Sequence, residues 1–302
     1  MDDKALEQIA FTNLPKQICP ITGQKIMTPA VMHRDLSDFW PSKLADMRDD
    51  RIANLMIVER SARDKYYEKL KKAGVSLSFS GGLDSTTVLH WACKLFGSVH
   101  CLIFDYGQRH KIEIDRAINY LNTYRDSFDV PVTHQLVDMT PINQLAVSSL
   151  TRDEVKVPRN QSIDDMAKRI PSTFVPGRNL YFMTAVAQSA FASGFRHIAL
   201  GVNALDYSGY PDCRPEFIAA MRDALSIGVF NGHEIGVHAP LMMLNKRNII
   251  RLGLELGVKY EDTHSCYNGV LGGCGECDSC ILRRTAFNEL GMEDPAIAKW
   301  IK

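Results

Sequence analysis

Along this chain, short apolar runs alternate with stretches of helical period. Val75 to Phe79 (VSLSF) predicts a strand that stops at Ser80-Gly81-Gly82, and Thr86 to Phe96 predicts a helix. Val99 to Phe104 predicts the next strand, residues 111–124 a helix, and Val130 to Val137 alternates like a half-buried strand. Helices follow at about 178–193, 215–226 and 246–256, with a strand from His197 to Leu200 after the first of them. Strands alternating with helices imply parallel βαβ units, so the expected fold is α/β with a doubly wound, mostly parallel sheet. Upstream the pattern changes. Ile18 to Asp38 has prolines and little periodicity, whereas Leu44, Met47, Ile52, Leu55, Met56 and Val58 recur near helical spacing between Ser42 and Lys72. The expected organisation is an N-terminal extension, 1–70, partly helical, then one domain, 71–302, whose end at 262–302 forms a cysteine-rich lobe.

Charge and cysteine content narrow the class. Lys plus Arg and Asp plus Glu both number 35, so the chain lacks the basic excess of most proteins that grip nucleic acid, and direct nucleic-acid binding is not expected. No apolar run reaches transmembrane length, and the acidic start MDDKALEQIAF lacks the order of a signal peptide. A cytoplasmic protein is the expectation. Of the eight cysteines, Cys19, Cys93, Cys101 and Cys213 are scattered. The other four, Cys266, Cys274, Cys277 and Cys280, form C-x7-C-x2-C-x2-C, a spacing that reads as a metal site in a reducing compartment. Four thiolates suit a closed tetrahedral zinc site of structural type, with turns supplied by Gly269, Gly272, Gly273 and Gly275, and with Arg283 and Arg284 offsetting its negative charge. An iron–sulfur cluster is the alternative, since C-x2-C-x2-C also occurs in ferredoxins.

The strongest chemical signal is Ser80-Gly81-Gly82-Leu83-Asp84-Ser85, set between a predicted strand and a predicted helix. Glycines admit a tight bend, and the N–H groups at the helix start attract phosphate. Asp84 offers carboxylate oxygens to magnesium, and Ser80 and Ser85 offer hydroxyl donors. No Gly-Lys-Ser/Thr triplet exists, so this is not a Walker loop. The bland reading of the segment is a serine-glycine turn capping a core helix.

The hexapeptide resembles the PP-loop of the ATP pyrophosphatase superfamily, whose members transfer AMP to a substrate oxygen and release pyrophosphate. Asp105 to His110 (DYGQRH), Ala146 to Asp153 (AVSSLTRD), Phe174 to Asn179 (FVPGRN), Asp206 to Arg214 (DYSGYPDCR) and Cys266 to Gly269 (CYNG) follow in order. With the loop and the cysteines, these segments resemble the 7-cyano-7-deazaguanine synthases from about Ser76 to the C-terminus. That resemblance implies ATP-dependent conversion of 7-carboxy-7-deazaguanine and ammonia to the nitrile, through an adenylated carboxylate and an amide, on the route to queuosine. A carboxylate is a poor electrophile, and adenylation supplies the leaving group it lacks.

The resemblance further implies catalytic roles for Asp84, Ser85 and Arg178. It places ATP against Ser78, Phe79, Ser80, Gly81, Gly82, Leu83, Asp84, Ser85, Thr86 and Lys246. It places the substrate against Tyr106, Gln108, Arg109, Asp206, Tyr207, Tyr210, Asp212 and Arg214. Arginine offers Arg178 a planar fork for phosphate or carboxylate, an aspartate suits the amine-bearing edge of a guanine-like ring, and a tyrosine can stack on that ring. His110 is weighed as structural rather than as a base, and Cys213 as no nucleophile. Structural Zn2+, Mg2+ with ATP, free ammonia and a homodimer complete the expectation. The rivals are a relative that stops at the amide or joins the activated acid to a protein or nucleic acid amine, a tRNA-modifying PP-loop enzyme such as a thiolase, and a non-catalytic zinc-stabilised binding module.

Overall fold

The structure, a computed structural model, describes residues 17–18, 25–26, 67–141, 147–152, 154–166, 170–204 and 210–300. Gln17–Ile18 pairs antiparallel with Lys25–Ile26, and 67–70 form a helical turn. The rest of the helix expected between Ser42 and Lys72 lies outside the described residues, as do Cys19, Asp206 and Tyr207.

Five parallel strands carry the fold: β1 Gly74–Ser78, β2 Ser98–Asp105, β3 Val132–Asp138, β4 His197–Ala199 and β5 Gly236–His238. Their spatial order is β3-β2-β1-β4-β5. Register pairs Leu77 of β1 with Cys101 of β2 on one side and with Ala199 of β4 on the other. The expected doubly wound parallel sheet is therefore present. Chain order reverses between β1 and β4, and ligands of such sheets bind beyond the carboxyl ends of the strands at this switch.

Period-two alternation divides the apolar side chains between two cores. Val75, Leu77, Val99, Cys101 and Ile103 join one face. It is covered by helices α1 (Leu83–Leu95), α2 (Ile112–Tyr124), α5 (Lys246–Glu255) and α6 (Asp278–Glu289), which supply Leu89, Leu121, Ile249 and Phe287 among others. Leu102, Phe104, Ile198 and Leu200 join the other face, under α3 (Arg178–Ala192) and α4 (Pro215–Gly228), with Met183, Val186 and Leu225. A last helix, α7 (Pro295–Trp300), follows α6. Cys93 and Cys101 are buried, as their apolar surroundings in sequence indicate.

Elements that escaped the periodicity reading include β5 and α6. β5 is three residues long and starts on a glycine, so no apolar run announces it; it is a strand because β4 offers an unpaired edge. α6 begins inside the cysteine cluster, with Cys277 as its N-cap and Cys280 in its first turn, where the cysteine and glycine pattern indicated only turns.

The β4–β5 pair brings a half-buried and a buried histidine together, with His197 Nδ1 3.1 Å from His238 Nε2. Phe96 packs 5.3 Å from each ring. Burial lowers His197 from 6.5 to about 4, and it lowers His238 further in the same direction, with His197 adding to the effect. Since both folded values lie below the unfolded one, the unfolded chain binds more protons once the pH drops under about 6.5. Stability is therefore full above that pH and is lost as pH falls toward 4. Urea unfolding at pH 7.5 and pH 5.0 should differ by on the order of 2 kcal/mol from His197 alone, with His238 acting in the same direction. A midpoint unchanged between those two pH values would rule out a neutral pair.

Candidate active site

Ser80–Ser85 turns from the carboxyl end of β1 into the head of α1. Gly81 has φ +69°, and a Cβ there would lie 2.7 Å from the Ala117 backbone of α2, so no side chain fits. From the other side, Gly201 after β4 lets its backbone reach α1, where a Cβ would meet Ser85 N at 3.0 Å. Two serines hold the bend. Ser80 and Gly82 N–H groups donate to Ser85 Oγ at 3.2 Å and Ser80 Oγ at 3.3 Å, and the two hydroxyls stand 3.1 Å apart. A bound phosphate could replace these hydroxyl acceptors without rebuilding the backbone, because the donors already converge.

The loop forms one wall of a cavity of about 290 Å3 at the switch point. Asp84, in the first turn of α1, meets Lys246 Nζ at 3.0 and 2.8 Å. Lys246 is placed there because Asn245 caps α5, its side chain accepting from Asn248 N at 2.9 Å. Arg178 opens α3 after Gly177, and its guanidinium stands 5.7 Å from the Tyr106 ring and 5.9 Å from the Tyr210 ring. Its Nε is buried and has no hydrogen-bond partner among the described residues. The cavity thus joins a phosphate-type loop, two basic side chains and two aromatic rings.

Ser78, Phe79, Ser80, Gly82, Leu83 and Ser85 all line this cavity, as do Tyr106 and Tyr210. Other expected members do not reach it or are committed elsewhere. Thr86 is buried within α1 and off the cavity wall, with its N–H bonded to Gly82 O. Asp212 lies beneath the site and accepts from Asn179 N at 3.3 Å, capping α3 rather than meeting a substrate. Arg214 is exposed and off the cavity wall. Gln108 is on the wall, but its amide closes a turn, accepting from Tyr106 N at 2.9 Å and donating to Phe104 O at 3.1 Å. Arg109 Nη1 donates to Ser149 O and Val155 O at 3.3 and 3.4 Å, tying down the 148–155 segment. His110 lines the cavity, packed against Gly269.

Polar wall residues with no part in the sequence expectation include His264, Ser265 and Glu113. His264 and Ser265 meet the loop directly: His264 N donates to Gly81 O at 3.0 Å, and Leu83 N to Ser265 Oγ at 3.5 Å. Their position just before Cys266 was the available signal. Glu113, three residues past the DYGQRH segment, is a half-buried acid on the same wall, pushed up to about 7 by burial against the pull of Arg178.

Beside this cavity, the four Sγ atoms of Cys266, Cys274, Cys277 and Cys280 lie within 4.8 Å of one another. Cys274 and Cys280 sulfurs are 4.0 Å apart, close to the roughly 3.8 Å edge of a tetrahedron with Zn–S bonds near 2.3 Å. Cys277 N and Asn268 Nδ2 each donate to Cys274 Sγ at 3.3 Å, as they would to a thiolate ligand. The cluster fits a metal ion. Arg283, expected to balance its charge, instead pairs with buried Asp294 at 2.7 Å.

A phosphate-type loop at the switch point of a parallel sheet, facing two basic side chains across a cavity, defines an α/β enzyme that handles a phosphorylated nucleotide. Residues 75–291 match the family described as "Queuosine biosynthesis protein QueC", and the chain belongs to this family. The 7-cyano-7-deazaguanine synthase of Thermoplasma acidophilum is 46% identical over 74% of this chain and 91% of its own length. That of Nostoc punctiforme is 43% identical over 72% of this chain and 96% of its own. Among solved structures, the U34-tRNA thiolase NcsA of Methanococcus maripaludis with its 4Fe–4S cluster covers 83% of this chain and 71% of its own at 13% identity. Its TM-score of 0.38 is too low to bear on which metal the four cysteines could hold. Among the described residues, no helix is long and apolar enough to cross a membrane.

Proposed function

We propose that this enzyme converts 7-carboxy-7-deazaguanine and ammonia to 7-cyano-7-deazaguanine at the expense of ATP, through an adenylated acid and an amide. Membership of a family whose relatives bear the name of that reaction sets the substrate class. The observation that carries the chemistry is the Ser80–Ser85 loop, whose converging N–H donors face Arg178 across one cavity. In this reading the loop and Lys246 bind the phosphates, and Asp84 offers oxygens to the magnesium of the nucleotide. Arg178 holds the acid oxygen in line with the innermost phosphorus, and Tyr106 and Tyr210 flank the deazaguanine ring. Fixing both partners in one site supplies the orientation that an intermolecular encounter lacks.

The four cysteines hold zinc in this proposal. The closed site has no position for substrate and keeps His264 and Ser265 against the loop. A cytoplasmic homodimer with the division 1–70 and 71–302 belongs to the same reading. The test is mass spectrometry of products from the acid, ATP and ammonium. The expected result is nitrile with AMP and pyrophosphate, from a colourless protein carrying zinc. An amide endpoint would refute nitrile synthesis, turnover without AMP would refute adenylation, and a brown protein would refute zinc.

A further inference from the structure

We propose that Glu113 is the base of the amide-forming step, taking the proton released when ammonia adds to the activated acyl carbon. This rests on the acid–ammonia ligase reading above. Among the described residues, two carboxylates line the cavity, Asp84 and Glu113. Asp84 is engaged by Lys246 through two contacts. The Glu113 side chain has neither a hydrogen bond nor an ion pair within the described residues. It sits in the first turn of α2, reached from the carboxyl end of β2 through the turn that carries Tyr106 and His110. The charged and titratable groups facing it are Arg178 from α3 and the Tyr106 phenol. Tyr210 and Tyr267 in turn flank Arg178.

Arg178 is the half-buried cation, its Nε without a hydrogen-bond partner among the described residues, suited to the incoming acid, so an acid held there places its acyl carbon beside Glu113. The step balances as follows. The ammonia lone pair forms the C–N bond while the carbonyl π pair moves to oxygen. The nitrogen, now ammonium-like, would be the better leaving group until it loses a proton. Glu113 accepts that proton and the nitrogen keeps the bonding pair. The carbonyl then re-forms, the C–O bond to phosphate breaks, and AMP departs with its electrons. Glu113 later returns one proton to solvent for each amide made. Burial holds the Glu113 carboxyl near 7, a value that lets it accept a proton at neutral pH more readily than an ordinary glutamate would.

The experiment separates the two half-reactions in Glu113→Gln. Acid-dependent exchange of pyrophosphate into ATP reports adenylation. Ammonium added to enzyme already loaded with acid and ATP reports amide formation. Exchange should stay within about fivefold of wild type while amide formation drops by about 100-fold, with Glu113→Asp recovering part of the loss. Plotted against unprotonated ammonia, the wild-type rate should rise through a limb near pH 7 that Glu113→Gln lacks. Amide formation at the wild-type rate in Glu113→Gln would overturn the proposal, as would parallel loss of both half-reactions, the mark of a residue that merely positions Arg178. If Glu113→Gln does not fold, a wild-type profile without the limb overturns it equally. A wild-type enzyme that fails to adenylate the acid would instead defeat the ligase reading itself.

Discussion

Asp84→Ala should lower acid-dependent exchange of pyrophosphate into ATP by roughly 1,000-fold while leaving the fold and the four-cysteine metal in place. Both carboxylate oxygens of Asp84 contact Lys246, whose side chain is only 14% exposed. Removing the acid has two opposed consequences. Lys246 loses its contacts with this carboxylate on a wall that receives a polyanion, which favours nucleotide binding. In the proposed mechanism the oxygen donor for the magnesium of the nucleotide is also lost, which would penalise the developing charge on the leaving pyrophosphate. The second effect acts on the transition state, so kcat should fall while the apparent affinity for ATP holds or tightens. Metal analysis and thermal melting should match wild type, because Asp84 lies on the cavity wall and is neither one of the four cysteines nor a member of the two apolar cores. Exchange within tenfold of wild type would remove Asp84 from the chemistry.

Arg283→Met should destabilise the protein by about 3–5 kcal/mol, a large part of the 5–15 kcal/mol typical of a folded domain. Arg283 and Asp294 are both buried and joined in fork geometry, at 2.7 and 2.9 Å. The same guanidinium donates to Thr263 Oγ1 at 2.7 Å and to Tyr260 O at 2.9 Å, so it ties α6 to the segment carrying His264 and Ser265. Truncation leaves Asp294 as a buried charge without its cation and strips two oxygens of their donor. Arg283→Lys should rescue little, since an ammonium cannot reproduce the fork. The double change Arg283→Met with Asp294→Leu should recover much of the loss, because it removes both desolvated charges together. Denaturant midpoints of the three variants decide it, and a single variant within about 1 kcal/mol of wild type would show that the pair contributes little.

Much of the site was legible because its chemistry is local in sequence. Six consecutive residues from Ser80 to Ser85 make the bend, the hydroxyl acceptors and the helix start, and each of these needs only near neighbours. The cysteine spacing was legible for the same reason, since short loops bring the sulfurs within 4.8 Å. Asp212 and Thr86, expected at the site through proximity in sequence, lie off the cavity wall. One lies beside site residues but turns under α3, and the other follows the loop but points into the core. Periodicity reports which face of an element is apolar; it does not report whether a polar side chain on the other face meets a cavity or a helix end.

Strand and helix order, the phosphate-type bend, the metal-binding spacing and the family were set by the sequence itself, because each depends on periodicity or on residues a few positions apart. Tertiary structure alone decided that Lys246 would meet Asp84 across 162 positions, that Arg283 would be locked to Asp294, and that Glu113, His264 and Ser265 would share a cavity with the loop. Those pairings arise where the parallel sheet reverses its order and gathers distant loops at one edge. No local pattern of residues encodes such a meeting.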